Sequence, residues 1–293
     1  MNSHHSSGHR NGWRWRVIAA LALASSTACA FSATHAASKA TSIALQTSKE
    51  TGQSIQAKLN GAAGTFLFDS GMGLSMITPA TAAQMGCKPW GQTTGFRATG
   101  ERVDMQKCNA AHLDIAGVAL SMPTLAVFDL MKLMPAGMAP LSGAIGLDAF
   151  AGRQITIQSH AQRLVLETPD SLATRIRRAH AIPLRVVRDA QGAALTVDVG
   201  MPTHAGMVWM ELDTGNRSGA HMIGKHVAAL LGLKPDMPGP QTIDVDVAPG
   251  IRLKGDAVVS NLIMDGDIGS QFLDQWDLTL DLKAEKGWLA AAQ

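Results

Sequence analysis

Two stretches decide the fold: Phe66-Leu67-Phe68-Asp69-Ser70-Gly71 and Met210-Glu211-Leu212-Asp213-Thr214-Gly215. Each is a mostly apolar run that ends in a carboxylate, a hydroxyl residue and a glycine. Upstream of the first, Ser54 to Leu59 alternates polar and apolar, Asn60 to Gly64 is rich in turn residues, and Thr65-Phe66-Leu67-Phe68 follows. This predicts strand, turn and strand running straight into Asp69. Upstream of the second, Ala194 to Val199, a turn at Gly200-Met201-Pro202 and Met207 to Leu212 predict the same unit. Downstream the match continues. Met76-Ile77-Thr78-Pro79 and a short helical stretch end at Gly86, while Met222-Ile223-Gly224 and Lys225 to Leu231 end at Gly232.

A second correspondence runs without gaps at an offset of 123 residues: Ile145-Gly146 with Ile268-Gly269, Ile155-Thr156-Ile157 with Leu278-Thr279-Leu280, and Leu166 with Leu289. Two correspondences in the same order mark an internal repeat. The expected architecture is all-β, with two homologous lobes over 40–168 and 182–293 joined by a polar linker at 169–181. Arg175, Arg177 and Arg178 are read as the solvated face of that linker.

The chain has 293 residues, 46% hydrophobic and 16% charged, which excludes collagen-like and wholly disordered classes. Residues 1–36 read as a secretory signal peptide: Arg10, Arg14 and Arg16 precede the apolar Val17 to Ala24, and small residues follow. Cleavage sites are offered after Ala30 and after Ala36. Ser26-Thr27-Ala28-Cys29 also resembles a lipoprotein box, which makes Cys29 a candidate lipid anchor and the only membrane attachment expected. Beyond this leader 22 of the 25 basic groups face all 23 acidic ones, a balance that points to no nucleic-acid partner. An exported chain permits a disulfide between Cys87 and Cys108, with two buried thiols as the alternative. No CxxC or HxxxH spacing supports a metal, and His112, His160, His204 and His221 are read as surface residues. Gly71-Met72-Gly73 lacks the rest of a nucleotide loop. No GxSxG elbow supplies a serine nucleophile.

A carboxylate at the end of an apolar strand must find polar partners. The simplest solution places Asp69 and Asp213 together between the lobes, each accepting from backbone N–H groups that Gly71 and Gly215 leave accessible. Two carboxylates in contact share a proton, which puts a base and an acid in one site. At these residues the chain resembles the aspartic peptidases of the pepsin and retropepsin clan. In that family each lobe supplies one Asp-Thr/Ser-Gly, backed by an apolar-apolar-Gly segment; here these are Asp69-Ser70-Gly71 with Ala144-Ile145-Gly146, and Asp213-Thr214-Gly215 with Asp267-Ile268-Gly269. The likeness is closest to small retropepsin-like lobes of bacterial exported proteins, fused in tandem.

The resemblance implies an aspartic endopeptidase with Asp69 and Asp213 as catalytic dyad, Ser70 and Thr214 as hydroxyl supports, a peptide or protein substrate, and no cofactor or metal. A non-catalytic protein holding extended peptides in the same cleft is the alternative. With both lobes in one chain, a monomer in the periplasm or medium is expected. Asp267 stands where the family has an apolar residue, and Met72 and Asn216 where a small residue or serine is usual. The chain also has no tyrosine for a flap. Gly95-Phe96-Arg97-Ala98-Thr99-Gly100 is the flap candidate, with Phe96 and Arg97 as substrate contacts.

Overall fold

The strand Ala62–Phe68 is buried on both faces over its last three residues, and this explains why Phe66-Leu67-Phe68 is apolar without alternation. Phe66 and Phe68 join the main core, whereas Leu67 points the other way into a second cluster with Leu130, Leu141 and Ala144. Full burial of each such side chain contributes about 1.5–3 kcal/mol. In Gly206–Leu212 the alternation differs: Val208, Met210 and Leu212 are core, and Glu211 takes the opposite face.

These strands belong to a computed structural model that describes residues 39–48, 52–134 and 136–292. The leader, both candidate cleavage sites and Cys29 lie outside the described residues. The fold is nearly all-β, with two curled sheets of equivalent topology. In the first, Met76–Ile77, Gly143–Ile145, Ala62–Phe68 and Gly52–Leu59 lie side by side in that order. In the second the order is His221–Gly224, Gly266–Ile268, Gly206–Leu212 and Thr196–Thr203. In both, the short strand before the Ile-Gly pair runs parallel to the strand that delivers the aspartate, and is antiparallel to its other neighbour.

A six-stranded sheet draws on both halves of the chain, in the order Thr41–Ala44, Arg163–Leu166, Gln154–Gln158, Trp276–Asp281, Lys286–Ala291, His180–Ile182. At its centre Thr156 faces Thr279, and their hydroxyls lie 3.1 Å apart. These are repeat equivalents, so a residue facing its own counterpart marks the local twofold relation between the halves. One continuous hydrophobic core runs through both lobes and this sheet.

Several boundaries differ from expectation. The first hairpin turns on Asn60-Gly61 alone, both at positive φ (48° and 87°), the two-residue geometry that the strand twist favours. The second turns at His204-Ala205, where Thr203 Oγ1 accepts from the Ala205 N–H and donates to the Gly206 carbonyl. Gly200-Met201-Pro202 is therefore strand, and Pro202 is tolerated because the neighbouring strand Leu184–Val187 ends its pairing at Val199.

Residues 169–181 are ordered structure rather than a loose connector. Pro169–Ile176 is a helix opened by a Thr168/Ser171 capping box, and His180–Ile182 is the last strand of the six-stranded sheet. Arg175 is pulled inward by the buried Glu167 and by Asp277, 3.6 Å away, while Arg177 and Arg178 are exposed. His112, His160 and His204 are exposed, but His221 is fully buried. It points from its strand toward the core beside Ile223. Cys87 and Cys108 form a disulfide with their Cα atoms 6.0 Å apart, tying the end of helix Pro79–Gln84 to the end of strand Arg102–Cys108.

Candidate active site

Each aspartate leaves its strand in the same way. The Asp69 N–H donates to the Ile145 carbonyl (3.1 Å) and the Asp213 N–H to the Ile268 carbonyl (3.0 Å), so the Ile-Gly segments hold the two loops. Gly71 N–H then donates to Asp69 Oδ1 (2.9 Å) and Gly215 N–H to Asp213 Oδ1 (2.6 Å).

Below the acids the loops are locked reciprocally. Ser70 N–H donates to Thr214 Oγ1 (3.0 Å), Thr214 N–H donates to Ser70 Oγ (2.9 Å), and Ser70 Oγ–H donates to the Leu212 carbonyl (2.6 Å). Both hydroxyl residues are buried. The glycines are steric requirements. A Cβ on Gly71 would stand 2.5 Å from Asp213 Cγ, and one on Gly215 would stand 2.6 Å from Asp69 Oδ2. Each carboxylate thus packs over the glycine of the other loop.

Asp69 and Asp213 thus face each other across the two glycines. Burial, then the charge of Asp213 and its side chain within hydrogen-bonding reach, hold the Asp69 carboxyl well above the usual carboxylate range. Both residues keep some solvent exposure, so water can reach the pair. The arrangement can activate a water with one carboxylate and protonate an acceptor with the other carboxyl.

The flap candidate is the tip of a hairpin made by Trp90–Phe96 and Arg102–Cys108. Phe96 is exposed, Arg97 pairs with Glu101 at 3.7 Å, and neither is among the hydrogen-bond partners of the aspartates. The tip reaches the second lobe, where the Ala98 carbonyl accepts from the Ile263 N–H at 3.0 Å.

Three features were not visible as site elements in the sequence. Ser75 donates through its N–H (3.0 Å) and its hydroxyl (2.6 Å) to Asp148, and its Oγ accepts from Gly146 N–H (2.9 Å), bracing the Ile-Gly segment of the first lobe. Burial pushes the Asp148 carboxyl up to about 6, against the pull of the Ser75 bonds. Asp267 is buried, accepts from Asn216 Nδ2 (3.0 Å) and lies within reach of the Asp213 charge. Glu211 sits beside Asp267 in register, and its Oε1 has no hydrogen-bond partner. The signal for the last two was an acid inside an otherwise apolar strand. No group of three or more His, Cys, Asp or Glu among the described residues is arranged to hold a metal ion.

Comparison with known proteins agrees with the first-lobe half of this picture at sequence level and with both lobes at fold level. A family model described as aspartyl protease matches residues 55–149, which span Asp69-Ser70-Gly71 and Ala144-Ile145-Gly146. No curated protein matches the chain. Similar solved structures include conglutin gamma, a basic 7S globulin from lupine seeds (TM-score 0.55, 8% identity, 87% of this chain and 95% of that one). Basic 7S globulin from soybean aligns equally broadly (TM-score 0.54, 8% identity, 87% and 95%). At that identity the likeness establishes the bilobal pepsin-like fold and nothing further.

Proposed function

We propose that the chain is an aspartic endopeptidase that hydrolyses peptide bonds with a water held by Asp69 and Asp213. The observation that carries this reading is the reciprocal lock of Ser70 and Thr214 beneath two carboxyls that each pack over the other loop's glycine. In the step, the ionised carboxyl takes a proton from water as the oxygen adds to the carbonyl carbon, and the protonated carboxyl gives its proton to the carbonyl oxygen. Collapse of the resulting diol breaks the C–N bond as the nitrogen takes the proton that the first carboxyl had gained from water and a diol hydroxyl gives its proton to the other, now ionised, carboxyl, which restores the pair. No covalent enzyme intermediate is formed.

In this reading the substrate is an extended peptide or protein segment under the 90–108 hairpin, with Phe96 and Arg97 at its edge. The chain acts as an exported monomer, released by loss of residues 1–36 or, in the lipoprotein alternative, retained through a lipid on Cys29. Bacterial origin and tandem fusion of two retropepsin-like units belong to the same proposal. The alternative is a protein that holds peptides in this cleft without cutting them.

The test is cleavage of casein and of a peptide library by the processed protein from pH 3 to 8, with a pepstatin-type inhibitor. Cleavage is expected to be inhibitor-sensitive and to fall by about 10²–10⁴-fold in Asp69→Asn and in Asp213→Asn. The double variant should be little worse than either, because the pair acts as a unit. Peptide binding with no cleavage above the variants at any pH transfers the function to the binding protein.

A further inference from the structure

Across the first sheet one face carries Ser54, Leu67, Ala144 and Met76 in register; across the second the equivalent row is Asp198, Glu211, Asp267 and Met222. Where the first lobe has a serine and two apolar residues before its methionine, the second has three acids. Asp267 is 6% exposed, its carboxyl lies within reach of the Asp213 charge, and its Oδ1 accepts from Asn216 Nδ2 at 3.0 Å. Asp213 also faces Asp69 across the two glycines. Three carboxyls therefore stand in series, with Asp213 in the middle.

No cation neutralises them. Arg185, the nearest base on that row, is held by Asp198 at 2.7 Å. Arg217 of the Asp213 loop pairs with Asp274. His221 lies on the opposite face of its strand from Met222, and among the described residues no ion pair includes Asp69, Asp213, Glu211 or Asp267. Burial and the Asp213 charge push the Asp267 carboxyl up to about 8, and burial pushes Glu211 up to about 9.

We propose that Asp267 is a positioning residue whose carboxyl keeps one proton in the Asp69–Asp213 pair up to neutral pH. The inference rests on the peptidase reading above. With one negative charge in the series, the best place is the middle: Asp213 accepts from protonated Asp69 and from protonated Asp267. With two charges, repulsion drives them to the ends, Asp69 and Asp267, and leaves the proton on Asp213. The pair again holds one proton. Only a third charge, packed against the first two, strips it. In a two-carboxyl site the second charge already does so. The three carboxyls titrate as one system, and the upper limb of the pH profile reports its last steps.

The test compares kcat/KM profiles of wild type and Asp267→Asn from pH 3 to 9. Asparagine keeps the shape and can still donate to Asp213, but it cannot carry the repelling charge. The upper limb is expected to fall by at least about one pH unit, so that on its alkaline side the variant loses up to about tenfold in rate per unit of fall. A limb that coincides with wild type overturns the inference and leaves the peptidase reading standing.

A second readout does not need catalysis. In protein carrying ¹³C at aspartate Cγ, the Asp69 and Asp213 signals of the wild type should still show one shared proton above pH 7, and should lose it at lower pH in Asp267→Asn. If the wild type cleaves nothing, the peptidase reading fails and this titration alone decides the inference. Complete deprotonation of both signals below pH 6 in the wild type overturns it, whether or not the variant folds.

Discussion

The two lobes have one topology and opposite chemistry on one face. At the position two residues before the aspartate the first lobe has Leu67 and the second Glu211; one residue before the Ile-Gly glycine's isoleucine they have Ala144 and Asp267. In the first lobe that face is sealed by an apolar cluster with Phe128 and several methionines packed against it. In the second it holds unneutralised acid. Strand pairing therefore carries the repeat without help from that row, and the row is free to differ in what it does to the dyad.

Moving the charge across the repeat gives the largest expected effect. Leu67→Glu places a carboxyl among Leu130, Leu141 and Ala144 with no partner, and should destabilise the protein by about 3–5 kcal/mol at pH 7. Denaturant unfolding measures it; a loss under about 1 kcal/mol breaks the claim that the two faces differ in tolerance for acid.

The lock beneath the dyad is less even than it looks. Ser70 Oγ serves two second-lobe backbone groups, the Leu212 carbonyl and Thr214 N–H, whereas Thr214 Oγ1 accepts from Ser70 N–H. Ser70→Ala should cost about 2–4 kcal/mol and Thr214→Ala about 1–2 kcal/mol, since each buried group left unpaired costs about 1–3. Equal losses in thermal or denaturant melts count against the asymmetry.

The Glu211 carboxyl is raised in the folded protein, so the folded state holds its proton more tightly than the unfolded chain. Its relative stabilisation is complete below about pH 4.5 and is lost as pH rises toward about 9. Glu211→Gln removes this loss and should raise stability at pH 7 by about 1–3 kcal/mol while leaving pH 4 nearly unchanged. Parallel stability curves for variant and wild type from pH 5 to 8 contradict this.

The smallest effect lies at the acid end. Ser75 of the first lobe braces Asp148, but its register equivalent His221 is buried with neither ring nitrogen hydrogen-bonded, and burial pushes its imidazole down. A depressed folded value means stability is present above about pH 6.5 and is lost as pH falls. His221→Leu should flatten that acid loss by about 1 kcal/mol between pH 7 and pH 5. An unchanged slope shows that His221 does not titrate on unfolding.

Much of this was legible because the repeat constrains it. Two apolar strands ending in Asp-Ser/Thr-Gly, each with an Ile-Gly partner, give the lobes, the dyad and the hydroxyl support, since backbone pairing fixes where those loops must meet. The turns were displaced because Gly64 and Gly200 are strand glycines that permit close approach, Gly64 to Ser142 and Gly200 to Met207, rather than chain reversals. Arg175 read as solvated because one partner, Asp277, is 102 residues away in sequence and the other, Glu167, though only eight residues away, carries no sign in the sequence that its side chain is buried. The Ser75–Asp148 brace and the Asp213–Asp267 contact are likewise long-range, and an acid in a strand does not announce which neighbour it will touch. His221 misled for the same reason: a lone histidine carries no record of its burial.

The hairpin tip has a kinetic consequence. Its base is anchored by the Cys87–Cys108 disulfide, and the tip meets the opposite lobe through the Ala98–Ile263 backbone hydrogen bond and the contact of Gly100 with Ile263. One such hydrogen bond has a net worth of about 0.5–1.5 kcal/mol. The hairpin's Val103 and Met105 also share an apolar cluster with Ala193 and Ala194, so raising it costs that packing as well as the hydrogen bond. In the peptidase reading such an opening, on the microsecond-to-millisecond scale of loop motions, gates the entry of an extended chain.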